Sequence, residues 1–202
     1  EISFIFNGKK YYGYRGDTLA SALLANGIHL IGRSFKYHRP RGIFAAGVED
    51  ANGKVQLYKD NITEPNVNVT EVELVEGLRI ESQNCWPSVD FDVGGINNFF
   101  SRFFPAGFYY KTFMWPKSFW YHVYEPFIRK AAGMGKAPLD PDPDRYEHQY
   151  EHCDILVVGS GPSGIASALS AAKNGARVIL AEDKSRFGGS LLTDNVTICN
   201  KN

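Results

Sequence analysis

Cysteine is scarce in this chain, and long apolar runs are missing altogether. Only Cys85, Cys153 and Cys199 occur in 202 residues. Three thiols, far apart and odd in number, argue against a disulfide framework and point to a reducing compartment. No CxxC pair and no His/Cys cluster has the spacing of a zinc site, so no metal ligand is expected. No apolar stretch reaches membrane-spanning length, and no signal peptide opens the chain. The 22 cations balance the 22 anions, which leaves no general attraction to nucleic acid or to a membrane surface. The expected compartment is the cytoplasm, and the N-x-T sequons at Asn61, Asn68 and Asn195 are chance matches. Nothing offers an evident nucleophile or acid–base pair. The five histidines, His29, His38, His122, His148 and His152, are scattered and read as surface or packing residues, so no catalytic residue is assigned.

What the chain does contain is concentrated between Cys153 and Ser190. Ile155 to Val158 is a short apolar run rich in β-branched residues, ending at a glycine, and reads as a buried parallel strand. Gly159, Gly161 and Gly164 then form G-x-G-x-x-G at a strand-to-helix turn. The first glycine permits a tight turn, the second lets the backbone approach a pyrophosphate, and the third lets helix and strand pack closely. The helix, about Ser163 to Lys173, presents N–H groups and a positive dipole end to the phosphates. Asn174-Gly175 stops it, Arg177 to Ala181 reads as a second buried strand, and Glu182 follows. A carboxylate there accepts hydrogen bonds from an adenosine ribose and repels the extra phosphate of NADP. Gly188-Gly189 allows a loop to fold over the dinucleotide. One βαβ unit is less than a doubly wound sheet needs, and the chain opens on Glu1. The expectation is a piece of a longer polypeptide, interrupted inside its nucleotide-binding domain.

The first 82 residues read as β-rich. Ile2, Phe4 and Phe6 alternate with polar residues before Asn7-Gly8, a hairpin signal, and Lys9 to Tyr14 returns. Asp17 or Thr18 caps a helix that Asn26-Gly27 ends. Val48 to Tyr58, containing Asn52-Gly53, is a second hairpin candidate, and Val67 to Ile80 alternates like strands. Two strands, a helix and more strands is the order of a β-grasp domain. Between them, Arg33 to Gly42 carries four cations, one histidine and two aromatics. It reads either as an anion or partner site, or as a solvated loop whose arginines pair with local carboxylates.

From Phe99 to Phe127, 14 of 29 residues are aromatic, half of the chain's total. Pro105, Pro116 and Pro126 divide this connector into short pieces. Part of it is expected to fill its own domain and part to face other subunits. Ala131 to Asp144 reads as an extended, solvated linker.

Gly16 to Ala20 and Arg33-Ser34-Phe35-Lys36-Tyr37-His38-Arg39-Pro40-Arg41-Gly42 resemble the N-terminal region of heterotetrameric sarcosine oxidase alpha subunits. The phrases at 129–133 and 142–146 fit the same pattern, so the resemblance runs from about Phe6 to Leu192. Related modules carry [2Fe–2S] cysteines just after the Arg-Gly turn, where this chain reads Ile43 to Asp50 without one. The resemblance therefore implies a ferredoxin-like β-grasp domain without a cluster over 1–82, a connector and linker over 83–150, and the first part of a Rossmann-type FAD/NAD(P)-binding domain over 151–202. Together these make an α/β chain with an α+β N-terminal domain. The resemblance also implies oxidation of sarcosine with tetrahydrofolate and O2 to glycine, methylenetetrahydrofolate and hydrogen peroxide. FAD and FMN would lie with the partner beta subunit, and gamma and delta subunits would complete the heterotetramer. NAD is expected in the Rossmann site. It would be held by Gly159, Gly161, Ser163, Gly164, Glu182, Asp183, Lys184, Gly189 and Ser190.

The spacing from Gly164 to Glu182 also suits FAD, and Lys184 could tolerate a ribose phosphate. Two other functions stay open: a subunit of an amine, proline or opine dehydrogenase, or a non-catalytic assembly module.

Overall fold

The computed structural model describes residues 1–59, 62–105, 107, 113–132, 135–142 and 144–192. The chain forms two compact units, Glu1–Pro143 and Asp144–Asn202.

In the first unit, β1 (Ile2–Phe6) and β2 (Lys9–Gly13) form the expected antiparallel hairpin. Asn7 and Gly8 both take positive φ, 50° and 77°, the conformation that a two-residue type I′ turn requires. Helix α1 (Leu19–Ala25) starts at Thr18, whose hydroxyl accepts the Ser21 N–H at 3.2 Å. Three further strands, β5 (Lys54–Lys59), β6 (Ile62–Asn68) and β7 (Leu78–Ser82), complete a sheet of order β2-β1-β7-β5-β6. Strands β1 and β7 run parallel while the other pairs are antiparallel. One helix laid on such a mixed sheet is the ferredoxin-like β-grasp. Phe4, Leu19, Leu23, Ile31, Val55, Val69 and Ile80 are fully buried between helix and sheet.

Two expectations are corrected here. Asn52-Gly53 is not a hairpin turn, because both of its N–H groups donate to the Asp50 carboxylate. Val67 to Ile80 is not continuous strand either. β6 ends at Asn68 and β7 begins at Leu78, with Leu74 N–H bonded to Asp17 O and Gly77 N–H to Ser3 O between them. A two-residue ribbon, β3 (Gly32–Arg33) with β4 (Pro40–Arg41), carries the basic loop at its tip.

The connector forms short α2 (Ile96–Phe99), then a π-type turn over Trp120–Tyr124 that runs directly into α3 (Glu125–Ala132). Pro126 therefore does not break the chain there. The wider turn precedes a residue that lacks the N–H an α-turn would use. Phe108, Tyr109 and Tyr110 of the aromatic run lie outside the described residues.

The linker is not wholly solvated. The nearly buried Gln56 side chain donates to Lys136 O at 3.1 Å and accepts Lys136 N–H at 2.7 Å, imitating a strand pair. Gly135 sits at φ +78°, where a Cβ would overlap Gln83 and crowd Pro65 and Gln56.

In the second unit, β8 (Ile155–Val158) pairs in parallel with β9 (Val178–Ala181), joined through α4 (Pro162–Lys173). Helix α4 stops at Asn174, with Gly175 at φ +87°. The strands are less buried than a parallel sheet leads one to expect. Leu156 is 57 % and Val158 80 % exposed. Among the described residues the sheet has only two strands, with α4 packed against both, whereas parallel sheets are normally covered on both faces.

Candidate functional site

The β8–α4 turn has the geometry its glycines require. Gly159 takes φ +96°. A Cβ on Gly164 would overlap the Gly159 carbonyl oxygen, so helix and turn are in contact as the third glycine predicts. Gly161 is different. It is the N-cap of α4, no side chain caps the helix, and a Cβ built there meets nothing within 4 Å. The turn thus presents open backbone at the positive end of a 12-residue helix, which is what a pyrophosphate needs.

Glu182, at the end of β9, is tied back onto this turn. Its Oε2 accepts the Ser160 N–H at 2.7 Å and the Ser160 hydroxyl. Its Oε1 accepts the Asp183 and Lys184 N–H groups, each at 3.1 Å. These bonds, led by the Ser160 hydroxyl, hold the carboxyl down at about 2, so it is ionised at any physiological pH. An ionised carboxylate offers about four acceptor sites, and the chain itself engages all four. Any further donor must therefore share these sites or displace one of the four. Among the four donors only the Ser160 hydroxyl can turn away by side-chain rotation.

Ser160 also holds the Gly-Gly loop. It is fully buried, and Gly188 N–H donates to its carbonyl at 3.0 Å and its hydroxyl at 3.3 Å. A Cβ on Gly189 would lie 3.0 Å from Gly161 Cα. The structure thus brings Gly159, Gly161, Gly164, Glu182 and Gly189 together around Ser160, which sequence reasoning passed over as one of the variable positions of the motif. Asp183 and Lys184 contribute backbone N–H groups to Glu182 while the residues themselves are exposed, as are Ser163 and Ser190.

The basic loop is neither an open anion site nor a set of carboxylate pairs. Three of its four cations grip the connector, while Arg41 donates to the Asn52 side chain. The Arg33 guanidinium donates to Val89 O at 2.9 and 2.7 Å, Lys36 Nζ to Pro105 O at 3.2 Å, and Tyr37 Oη to Phe104 O at 2.7 Å. Arg39 donates to Asn98 Oδ1 at 2.8 Å and lies over the Tyr37 ring. His38 meets a carboxylate. Its Nδ1 is 2.6 Å from Asp92 Oδ2, with both side chains buried. Asp92 Oδ1 also accepts the Trp86 and Gly94 N–H groups. Several described aromatics of the connector turn outward, with Phe99 91 % and Trp115 84 % exposed.

Residues 1–85 contain a single cysteine, Cys85, whose thiol is pushed up to about 11 chiefly by burial. A cluster needs several thiolates, so these residues do not fit one. Among the described residues no group of three or more His, Cys, Asp or Glu side chains could hold a metal ion. Nor is any described helix long and apolar enough to cross a membrane.

Comparison with known proteins agrees with the two units. Residues 1–85 match the family described as 2Fe-2S iron-sulfur cluster binding domain, and residues 154–201 match FAD dependent oxidoreductases. The chain is 56 % identical over 99 % of its length to sarcosine oxidase subunit alpha of Rhizobium meliloti, covering 20 % of that protein. It is 30 % identical over 94 % of its length to the same subunit of Corynebacterium sp. (strain U-96), covering 15 % of it. L-proline dehydrogenase from P. horikoshii is similar in structure with a TM-score of 0.44 at 20 % identity, covering 94 % of this chain and 26 % of that one. The chain thus spans about a fifth or less of the length of these curated relatives.

Proposed function

The chain is a homologue of sarcosine oxidase alpha subunits, and from that kinship we propose that it is the dinucleotide-binding, partner-docking part of such a subunit. The complex, a heterotetramer with beta, gamma and delta subunits in the cytoplasm, would oxidise sarcosine to glycine with tetrahydrofolate and O2, releasing methylenetetrahydrofolate and hydrogen peroxide. No residue of this chain is assigned to that chemistry. Its own task is to bind and orient.

The observation that carries the reading is the open face of Gly161 above the N-terminus of α4. Gly159, Gly161, Ser163 and Gly164 would hold the pyrophosphate. Glu182, with Asp183 and Lys184 beside it, would hold the adenosine ribose, and Gly189 and Ser190 would close over the cofactor. NAD is the proposed occupant. FAD is the second reading, favoured by the match of residues 154–201 to FAD dependent oxidoreductases. With FAD and FMN also carried at the beta subunit, the complex would hold the redox groups that the oxidation requires.

Glu182→Ala in the full-length subunit should weaken NAD binding about 30- to 150-fold, as the ribose loses its charged acceptor and the Ser160 turn loses its anchor. Titration calorimetry of the wild type and the variant with NAD, NADP and FAD reads this directly. Unchanged affinity with an intact fold would show that the ribose lies elsewhere.

We also infer that the β-grasp domain carries no iron–sulfur cluster, which is supported by its lone, protonated Cys85. Elemental analysis of protein expressed with ample iron should find no stoichiometric iron or labile sulfide in this unit. The exposed aromatics of the connector, Phe99 and Trp115 foremost, would form part of the contact with the other subunits.

A further inference from the structure

Asp50 lies at the end of the stretch where related modules place cluster cysteines, and it is almost fully buried. Four backbone N–H groups converge on its carboxylate. Phe44 and Ala45 donate to Oδ2 at 2.7 and 3.0 Å, and Asn52 and Gly53 donate to Oδ1 at 2.8 and 2.9 Å. The loop is pinned outside this nest as well. Asp50 N–H and the Thr70 hydroxyl both bond Gly47 O, Gly53 O accepts Val69 N–H, and Arg41 donates to the Asn52 side chain. Among the described residues no cation pairs with Asp50. Glu49 is its neighbour in sequence, and Arg41 reaches the loop only through Asn52.

We propose that residues 43–53 form a built anion site of backbone N–H groups, whose resident ligand is the chain's own Asp50 carboxylate in place of an external anionic group. The amides of the loop need a negative charge at their focus, and a carboxylate linked through its own backbone supplies it. The chemistry of the site is specific. It takes a small monovalent carboxylate with two oxygens, each receiving two N–H groups. Backbone N–H groups that favour the ionised form explain why the carboxyl is held at about 2 despite its burial, which acts the other way. Relative to an ordinary value of 3.8, that preference amounts to about 60-fold between the charged and neutral ligand. A folded-state pKa below the unfolded one stabilises the loop above about pH 4. That contribution is lost as pH falls through about 2.

The test is hydrogen exchange read by mass spectrometry on peptides spanning 43–53, with peptides from α1 as the internal control. In Asp50→Ala the loop should exchange faster by about 10-fold or more, because four N–H groups lose their acceptor. Formate, which has the size of the deleted group, should restore protection at roughly 0.1 M, whereas chloride at equal ionic strength should not. The wild type should respond to neither. Protection that survives in Asp50→Ala, or a loss that formate leaves unchanged while α1 stays protected, would overturn the proposal. Should Asp50→Ala unfold outright, the wild type decides. Its loop protection, corrected for the intrinsic pH dependence of exchange, should fall between about pH 4 and about pH 2 before α1 opens. A loop indifferent to that range would overturn the assignment.

Discussion

Gly164→Val should destabilise the second unit and abolish the dinucleotide binding proposed for it. A Cβ at 164 would overlap the Gly159 carbonyl oxygen, which is backbone and cannot rotate away. Gly159 itself is fixed at φ +96° by the turn. The only relief is for α4 to lift off β8, which opens the turn and breaks the Ser160 bonds to Glu182 and Gly188. Forced overpacking of this kind typically costs about 1–3 kcal/mol, and more when backbone must move. A displaced turn would lower affinity by about 100-fold or beyond. Gly161→Val supplies the contrast, since a Cβ at 161 meets nothing. That protein should keep its fold, with binding lost only because the side chain enters the space of the pyrophosphate. Circular dichroism with calorimetry on both variants separates the two cases. Normal affinity in Gly164→Val would mean that helix and turn are not in contact.

Asp92→Ala should cost about 2–4 kcal/mol. It strips a partner from three donors at once, His38 Nδ1 and the Trp86 and Gly94 N–H groups. A buried donor left unpaired costs about 1–3 kcal/mol, which applies in full to the His38 ring and only in part to the more exposed Trp86 and Gly94 N–H groups. Water is poorly placed to compensate, because the Asp92 side chain is 1 % exposed. Gly94 packs against the face of His38, so closely that a Cβ there would overlap the imidazole. Freeing the ring should loosen the whole start of the connector. Asp92→Asn should be far milder, at about 1 kcal/mol. Its amide oxygen still serves the two N–H groups, and its NH2 can face the other tautomer of His38. Thermal unfolding measures both effects. If the connector docks partner subunits as proposed, the alanine variant should also co-purify with less of them. Equal stability of Ala, Asn and wild type would show that the carboxylate does not hold this corner.

Features made by local rules were legible in the sequence. Asn7-Gly8 adopts the backbone a two-residue hairpin demands, Thr18 caps α1, and Gly159 with Gly164 shapes the β8–α4 turn. Each depends on residues within a few positions of one another. What escaped the sequence depends on a side chain taking a role that periodicity assigns to backbone. Asn52-Gly53 looks like a hairpin turn, but the loop folds around Asp50 rather than between two strands. Gln56 stands in for a strand in holding Lys136, 80 residues away, and no local pattern announces that. The candidate site was half visible. Glu182 is marked by its place after β9, whereas its engagement by four donors of its own chain, with Ser160 at the centre, is a property of the folded turn.

The clamp on the connector grips main chain at several carbonyls and side chains at Asp92 and Asn98. Arg33, Lys36 and Tyr37 bond the carbonyl oxygens of Val89, Pro105 and Phe104, and every residue type carries a carbonyl. At those carbonyls the grip is indifferent to the side chains it holds in place. Attachment and recognition are thereby assigned to different atoms of the same segment. The outward rings at Phe99 or Phe103 can be exchanged for others without loosening the segment from its domain. A lineage could in this way retune which protein the segment meets while leaving the mounting untouched, like a tool holder that accepts many bits.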